Sequence, residues 1–352
     1  MIDYLPQDTS TFGIYDELKT LDWSGIHCIF NIQDITKVKL PPSCHRAAIS
    51  FHTEYYHVHD LLDFFNAHQD VEFLFLSDGI PKCDWPINVT YCQWVTWHLQ
   101  LEKLISIYGV NKEDRKPKYA ISALSARGEF HKASIVSYLF AKMKDRLIYS
   151  WYKMEPLYFN KEEIERYPRL QTYLDYGVVN SIPKYSPDDW KENESATPID
   201  NGNWHMVAYT DAVINLTNES IFNSSFMYRD TVYNYTTPYL TEKTFKALAA
   251  RQPFLPVGQV DSIKHLSELG LNFDYGLPLE YDCENGDFDR IEKIYDTIDY
   301  IENMSVSELF NQTQPIADYN LNMIETRQFS RNCINDNMSR VTIVENWINS
   351  GK

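Results

Sequence analysis

Short apolar runs of strand length recur along this chain, separated by stretches whose apolar residues fall at helical spacing. No other feature limits the fold as much. "IHCIFNI" (26–32), "RAAISF" (46–51) and "VEFLFLSDG" (71–79) read as strands buried on both faces. "VHDLLDFFNAHQ" and "WVTWHLQLEKLISIYG" each carry one apolar helical stripe, the second ending at Gly109. The pattern breaks at the charged, proline-containing "GVNKEDRKPK" (109–118), read as a linker. It restarts with strand "YAISAL" (119–124), helix "HKASIVSYLFAKM" (131–143) and strand "LIYSWY" (147–152). An irregular excursion over 155–203 holds Pro156, Pro168, Pro183, Pro187 and Pro198. Regular pattern returns with strand "DAVINLT" (211–217), a helix over 241–250, strand "PFLPVG", helix "DSIKHLSELG", and a helical region from about Asp287 onward. Such alternation predicts parallel sheets covered by helices. Its restart within 352 residues predicts two α/β domains.

The expected boundaries are 1–112, 113–335, and a last helix over 336–352. Two Rossmann-like domains facing a cleft follow, with ligands expected beyond the carboxyl ends of the strands, at helix amino ends. Bulk properties narrow the partners. At 44% hydrophobic and 14% aromatic residues the chain has material for real cores. A formal charge of −17 disfavours non-specific binding of nucleic acid, although "NKEDRKPKYAISALSARGEFHKASIVSYLFAKMKDR" concentrates basic residues locally. No apolar run approaches the ~20 residues of a membrane span. The start, "MIDYLPQDTSTFGIYDE", is acidic and polar, unlike a secretory leader, so a cytoplasmic protein is expected. The six cysteines show no CxxC pair and no zinc spacing, which suits free thiols in a reducing compartment.

Three local elements could carry chemistry. In "PYLTEKTFKALAARQPFLPVG" (238–258), Thr241 is an expected N-cap, and Glu242 and Lys243 fall in the first turn. The amide groups and dipole there attract anions; Lys243 would add charge for a phosphate, and Glu242 could accept hydrogen bonds from a ribose diol. The same residues also suit an ordinary capped surface helix. In "SALSARGEFHK", Arg127, His131 and Lys132 gather between a strand end and a helix start, with Gly128 permitting a tight turn. An arginine so placed can grip a diphosphate bidentately; a solvated basic turn is the alternative. In "INLTNES", a buried strand ends in Asn218, Glu219 and Ser220, which fits either a binding crevice or a turn.

The order and spacing of these elements resemble the donor-binding half of the alpha-1,3-fucosyltransferase family, with its "E-N-[ST]…Y-[VI]-T-E-K" signature. They are also similar to phage and large-virus glycosyltransferases that read "N-x-R-x-H-R", then "TEKT[FW]KxIAxGQPF", then "LxxLGF…YD…R". The last part appears here as "HLSELGLNFDYGLPLEYDCENGDFDR". The resemblance covers roughly 118–300. Two departures stand out: "TNES" replaces "ENS", and Arg251 stands where the pattern has Gly.

The resemblance implies a GT-B fold, with the nucleotide sugar in the C-terminal domain, the acceptor in the N-terminal one, and a final helix crossing back. "VTIVENWIN" (341–349) would suit that crossing. It implies a glycosyltransferase, with Arg127 and Lys243 on the donor diphosphate, His131 and Lys132 beside them, and Glu242 on the ribose. Glu219 would lie near the donor sugar or its nucleotide, as a catalytic as well as a donor-binding group. Tyr239 and Thr241 would shape the pocket, flanked by Thr244 and Lys246. The donor would be UDP- or GDP-linked, and the acceptor hydroxyl could belong to a glycan, a protein or a hydroxymethylated DNA base. The transfer is expected to be metal-independent. An inverting transfer needs a base; Asp78 in "FLSDG" is the foremost candidate, with Glu54 and His57 as rivals. A catalytically inactive nucleotide-binding or interaction module on the same scaffold is the alternative.

Overall fold

The computed structural model describes residues 18, 21–32, 35–51, 58–77, 85–95, 97–112, 114–154, 164–183, 207–219, 222–223, 225–228, 231–234, 238–283 and 286–351. Asp78, Glu54 and His57 lie outside them. The chain divides into two compact units: Met1–Leu99 with Ser225–Tyr239 and Phe329–Lys352, and Gln100–Ser224 with Leu240–Gln328. The expected boundaries at 112 and 335 therefore shift. The stretch 109–118 is no free linker, because side chains and amides tie it to the second unit. Asn111 N–H donates to Ala249 O at 3.1 Å, Lys112 pairs with Glu325 at 2.7 Å, and the buried Arg115 donates to Ala212 O and to Gln314 Oε1.

The first unit holds a parallel sheet of β1 (His27–Ile32), β2 (Arg46–Phe51), β3 (Glu72–Ser77) and β4 (Val89–Gln93), ordered β1-β2-β3-β4. Alternation along the strands divides its core between two faces. Ala47, Ile49, Phe73 and Phe75 meet Leu61, Leu62 and Phe65 of α1 (Val58–Ala67). Cys28, Ala48, Leu74 and Leu76 meet Val344, Trp347 and Ile348 of the last helix. Covering both faces is what allows these strands to be apolar throughout. Helix α2 (Trp97–Tyr108) follows β4.

The second unit is built on β5 (Tyr119–Gly128), β6 (Leu147–Met154), β7 (Ala212–Asn218) and β10 (Phe254–Val257), all parallel, in the order β10-β7-β5-β6. An antiparallel hairpin, β8 (Ser225–Tyr228) with β9 (Thr231–Asn234), is grouped with the first unit. Pro256 is tolerated in β10 because that strand is an edge. The helices are α3 (Phe130–Met143), α4 (Pro168–Tyr173), α5 (Tyr176–Ser181), α6 (Val207–Thr210), α7 (Glu242–Ala249), α8 (Ser262–Glu268), α9 (Asp287–Glu302) and α10 (Val306–Glu325). The last helix, α11 (Gln328–Ser350), falls almost wholly in the first unit. Arg251, at the end of α7, has φ +58°, the left-handed conformation that favours glycine. Its side chain pairs with Asp318, Nε to Oδ1 at 2.6 Å.

Among the described residues, no helix is long and apolar enough to cross a membrane, and the cysteines are free thiols.

Candidate functional site

Strand order locates the site. From β5 the chain moves outward through α3 to β6, then returns past β5 to β7 and leaves the other way through α7 to β10. The boundary between β5 and β7 is therefore a topological switch point, and right-handed crossovers put α3 and α7 on opposite faces. The described sheet of the first unit runs in simple succession and has no such reversal.

The two strands also part there. Their ladder ends at Ala123 opposite Leu216, while β5 stays paired with β6 as far as Gly128. That continued pairing extends β5 past the expected end at 124, so Arg127 is a strand residue, opposite Lys153, and not a loop residue. Its side chain, like that of Glu242, lies outside the described part of the structure. Between the parted strands, Asn218 Nδ2 donates to Ser125 Oγ at 2.9 Å, and Ser125 N–H donates to Ser150 Oγ at 2.9 Å. Asn218 Oδ1 is buried without a hydrogen-bond partner among the described residues.

On the α7 side, Glu219 follows directly from β7 and is fully buried. Its Oε2 accepts from Thr241 N–H at 3.1 Å and Thr241 Oγ1 at 2.5 Å; its Oε1 accepts from Thr244 Oγ1 at 2.7 Å. Thr241 is the N-cap of α7, accepting from Lys243 N–H, and Lys243 Nζ also donates to its hydroxyl at 3.1 Å. A carboxylate here complements the helix dipole. Sequence reading placed Glu219 among the catalytic and donor-binding groups. Its burial and its three donors among the described residues make it a strut that holds the amino end of α7 on β7. Gly258, at the end of β10, leaves room for it: a Cβ there would lie 3.3 Å from both Glu219 Cβ and Cγ.

On the α3 side, Lys132 is buried and pairs with Glu129 at 2.9 Å. Burial pulls its pKa below the usual lysine value; Glu129 opposes that shift, and the Lys243 charge adds to it. Lys132, Lys243 and Glu219 therefore share one electrostatic neighbourhood. His131 is buried too, stacked on Phe222 with ring centroids 4.8 Å apart, and its Nε2 lies 3.4 Å from Glu219 O. Burial, reinforced by the Lys132 charge, drives its pKa well below the ordinary histidine value, so the ring is neutral. It is a buried packing group. Thr244 is buried beneath the strut, and Lys246 is buried in the last turn of α7. Tyr239 is buried and grouped with the first unit.

The structure thus gathers Glu219, Thr241, Lys243, Thr244, His131 and Lys132 at one sheet edge. Sequence reasoning missed Ser125, Glu129, Phe222 and Gly258. Only Glu129 left a signal, its i,i+3 spacing to Lys132. Among the described residues no group of His, Cys, Asp and Glu side chains is arranged to hold a metal ion. No family model, no curated protein and no solved structure matches this chain.

Proposed function

We propose that this protein is a glycosyltransferase of GT-B type that moves a sugar from a nucleotide-sugar donor to an acceptor hydroxyl. The donor diphosphate would sit at the carboxyl edge between β5 and β7. One observation carries the reading. The strands part at the switch point, and there a buried carboxylate pins the amino end of an eight-residue helix, with Lys243 in its first turn and Lys132 near by. Breaking the bond from sugar to diphosphate leaves negative charge on the departing oxygens. Fixed amide dipoles and ammonium groups stabilise that charge best when they are already in place before the reaction. Glu219 performs the placement, Lys243 and the α7 amides meet the charge, and Lys132 adds to the field. Arg127, the penultimate residue of β5, stands at the same sheet edge. The base that deprotonates the acceptor is assigned to Asp78 on the sequence argument alone.

A thermal-shift titration with UDP-, GDP-, CMP- and dTDP-sugars tests this. The matching donor should raise the melting temperature progressively, since stabilisation grows with the logarithm of ligand concentration over dissociation constant. Absence of a shift with every donor would overturn the reading. A shift without donor hydrolysis or transfer would leave a nucleotide-binding module in its place.

A further inference from the structure

The segment "YDCENGDFDR" contains Arg290, whose side chain is completely buried. Among the described residues its ion pair is a long one, to Asp287 at 3.8 Å. Its donors go to backbone carbonyls of three separate segments. Nη1 donates to Phe222 O at 2.7 Å, in the loop after β7; Nη2 donates to Gly258 O, just past β10; Nε donates to Tyr281 O at 3.1 Å. The planar fork of a guanidinium can serve three acceptors at once, and an ammonium on a lysine stem cannot reach them all.

Two routes lead from this fork to Glu219. The guanidinium lies 4.2 Å from the centre of the Phe222 ring, and the His131 ring is stacked on that same ring. Phe222 thus touches both groups. His131 then meets the backbone oxygen of Glu219. The second route is shorter: Gly258, whose carbonyl Arg290 holds, packs directly on the Glu219 side chain. The preceding residues brace the same corner. Asp282 accepts from the amides of Ile263 at 2.9 Å and Lys264 at 3.0 Å, fixing the start of α8.

We propose that Arg290 is a positioning residue: it fixes the carboxyl ends of β7 and β10, and so sets where Glu219 holds the amino end of α7. As a device serving a donor diphosphate, the assignment rests on the function proposed above; as a device placing α7, it stands on its own.

Hydrogen exchange on the full chain carrying Arg290→Lys separates the two. The amides of Thr241 and Lys243 should exchange about tenfold faster or more, since at least two of the three carbonyl bonds are lost. The amides of Phe73–Leu76 in β3 and of Ile294–Ile298 in α9 should keep their protection. Unchanged exchange at Thr241 and Lys243, or acceleration merely in step with α9, would overturn the assignment. Should Arg290→Lys fail to fold, Phe222→Leu removes the stacked ring but keeps the backbone carbonyl. It should speed the same two amides by about threefold, and no acceleration there would equally overturn it. Calorimetric titration with UDP, GDP, CMP and dTDP completes the test. If the unmodified chain binds none of them, the transferase reading fails while the exchange result still decides the role of Arg290. If it binds one, and Arg290→Lys weakens binding about tenfold alongside faster exchange, the positioning role extends to the ligand.

Discussion

Replacing Glu219 by Gln is the most informative single change to the site. The carboxylate accepts three hydrogen bonds within a fully buried setting. A glutamine can keep its carbonyl against the two Thr241 donors and turn its amide toward Thr244, whose hydroxyl rotates to accept. All three contacts then survive, but as neutral bonds. Each drops from about 1.5–3 kcal/mol to about 1, and roughly 0.5–1 kcal/mol of interaction with the helix dipole goes too. Relief from burying a charge returns a few kcal/mol. The net loss should be about 1–3 kcal/mol. Glu219→Ala is worse, because the buried Thr241 amide loses its acceptor; about 3–5 kcal/mol is expected. Urea unfolding, followed by hydrogen exchange at Thr241 and Phe245 to isolate the second unit, measures both. The strut argument fails if either variant lies within about 0.5 kcal/mol of the parent, a size typical of changes at uninvolved positions. It fails equally if Gln proves as costly as Ala.

Lys243→Met should weaken binding of the matching nucleoside diphosphate by about 10- to 100-fold, the loss of one charge-assisted contact, while shifting the melting temperature little; titration calorimetry and thermal melts decide. His131 is held neutral in the fold but takes up a proton near its ordinary pKa when unfolded, so stability is complete above about pH 6.5 and is lost as pH falls below it, by up to about 1.4 kcal/mol per unit. His131→Phe should keep the stack on Phe222 and remove that part of the slope between pH 7 and 5 in urea melts. In the first unit, Arg46 donates to the carbonyls of Trp347 and Ile348 and to Ser350 Oγ, and its guanidinium lies 4.1 Å from the Trp347 ring centre. Arg46→Ala should cost about 2–3 kcal/mol and expose the end of α11 to limited proteolysis.

β1, β2 and β3 of the first unit were legible because each reads as a short run dominated by apolar residues; β2 over Arg46–Phe51 matches its sequence bounds. β4 was not, since "VTYCQ" is short, mixed in polarity and overshadowed by the aromatic residues around it. The N-cap at Thr241 was readable from local chemistry alone. Glu219's part was not, because it depends on Thr241 and Thr244 arriving from more than twenty residues away. Arg127 was placed in a loop because "SARG" looks like a turn; pairing with β6 overrides that local preference and carries the strand to Gly128. The linker at 109–118 misled for the same reason: its charges seemed to mark solvent, yet Arg115 is buried on the backbone of β7. The "YD…R" pattern marks Arg290 in the sequence, but its role as a hub was not legible, because its partners are main-chain carbonyls, which any residue supplies.

The seating of α11 on the sheet of the first unit has a consequence for biosynthesis. Val344, Trp347 and Ile348 cover Ala48, Leu74 and Leu76, yet a ribosome makes them some 270 positions later. At about 5–20 residues per second, that apolar face stays open for roughly a quarter of a minute to a minute while the second unit is translated and folds. The nascent sheet must wait uncovered, so a chain stalled before residue 340 should be a ready client for chaperones.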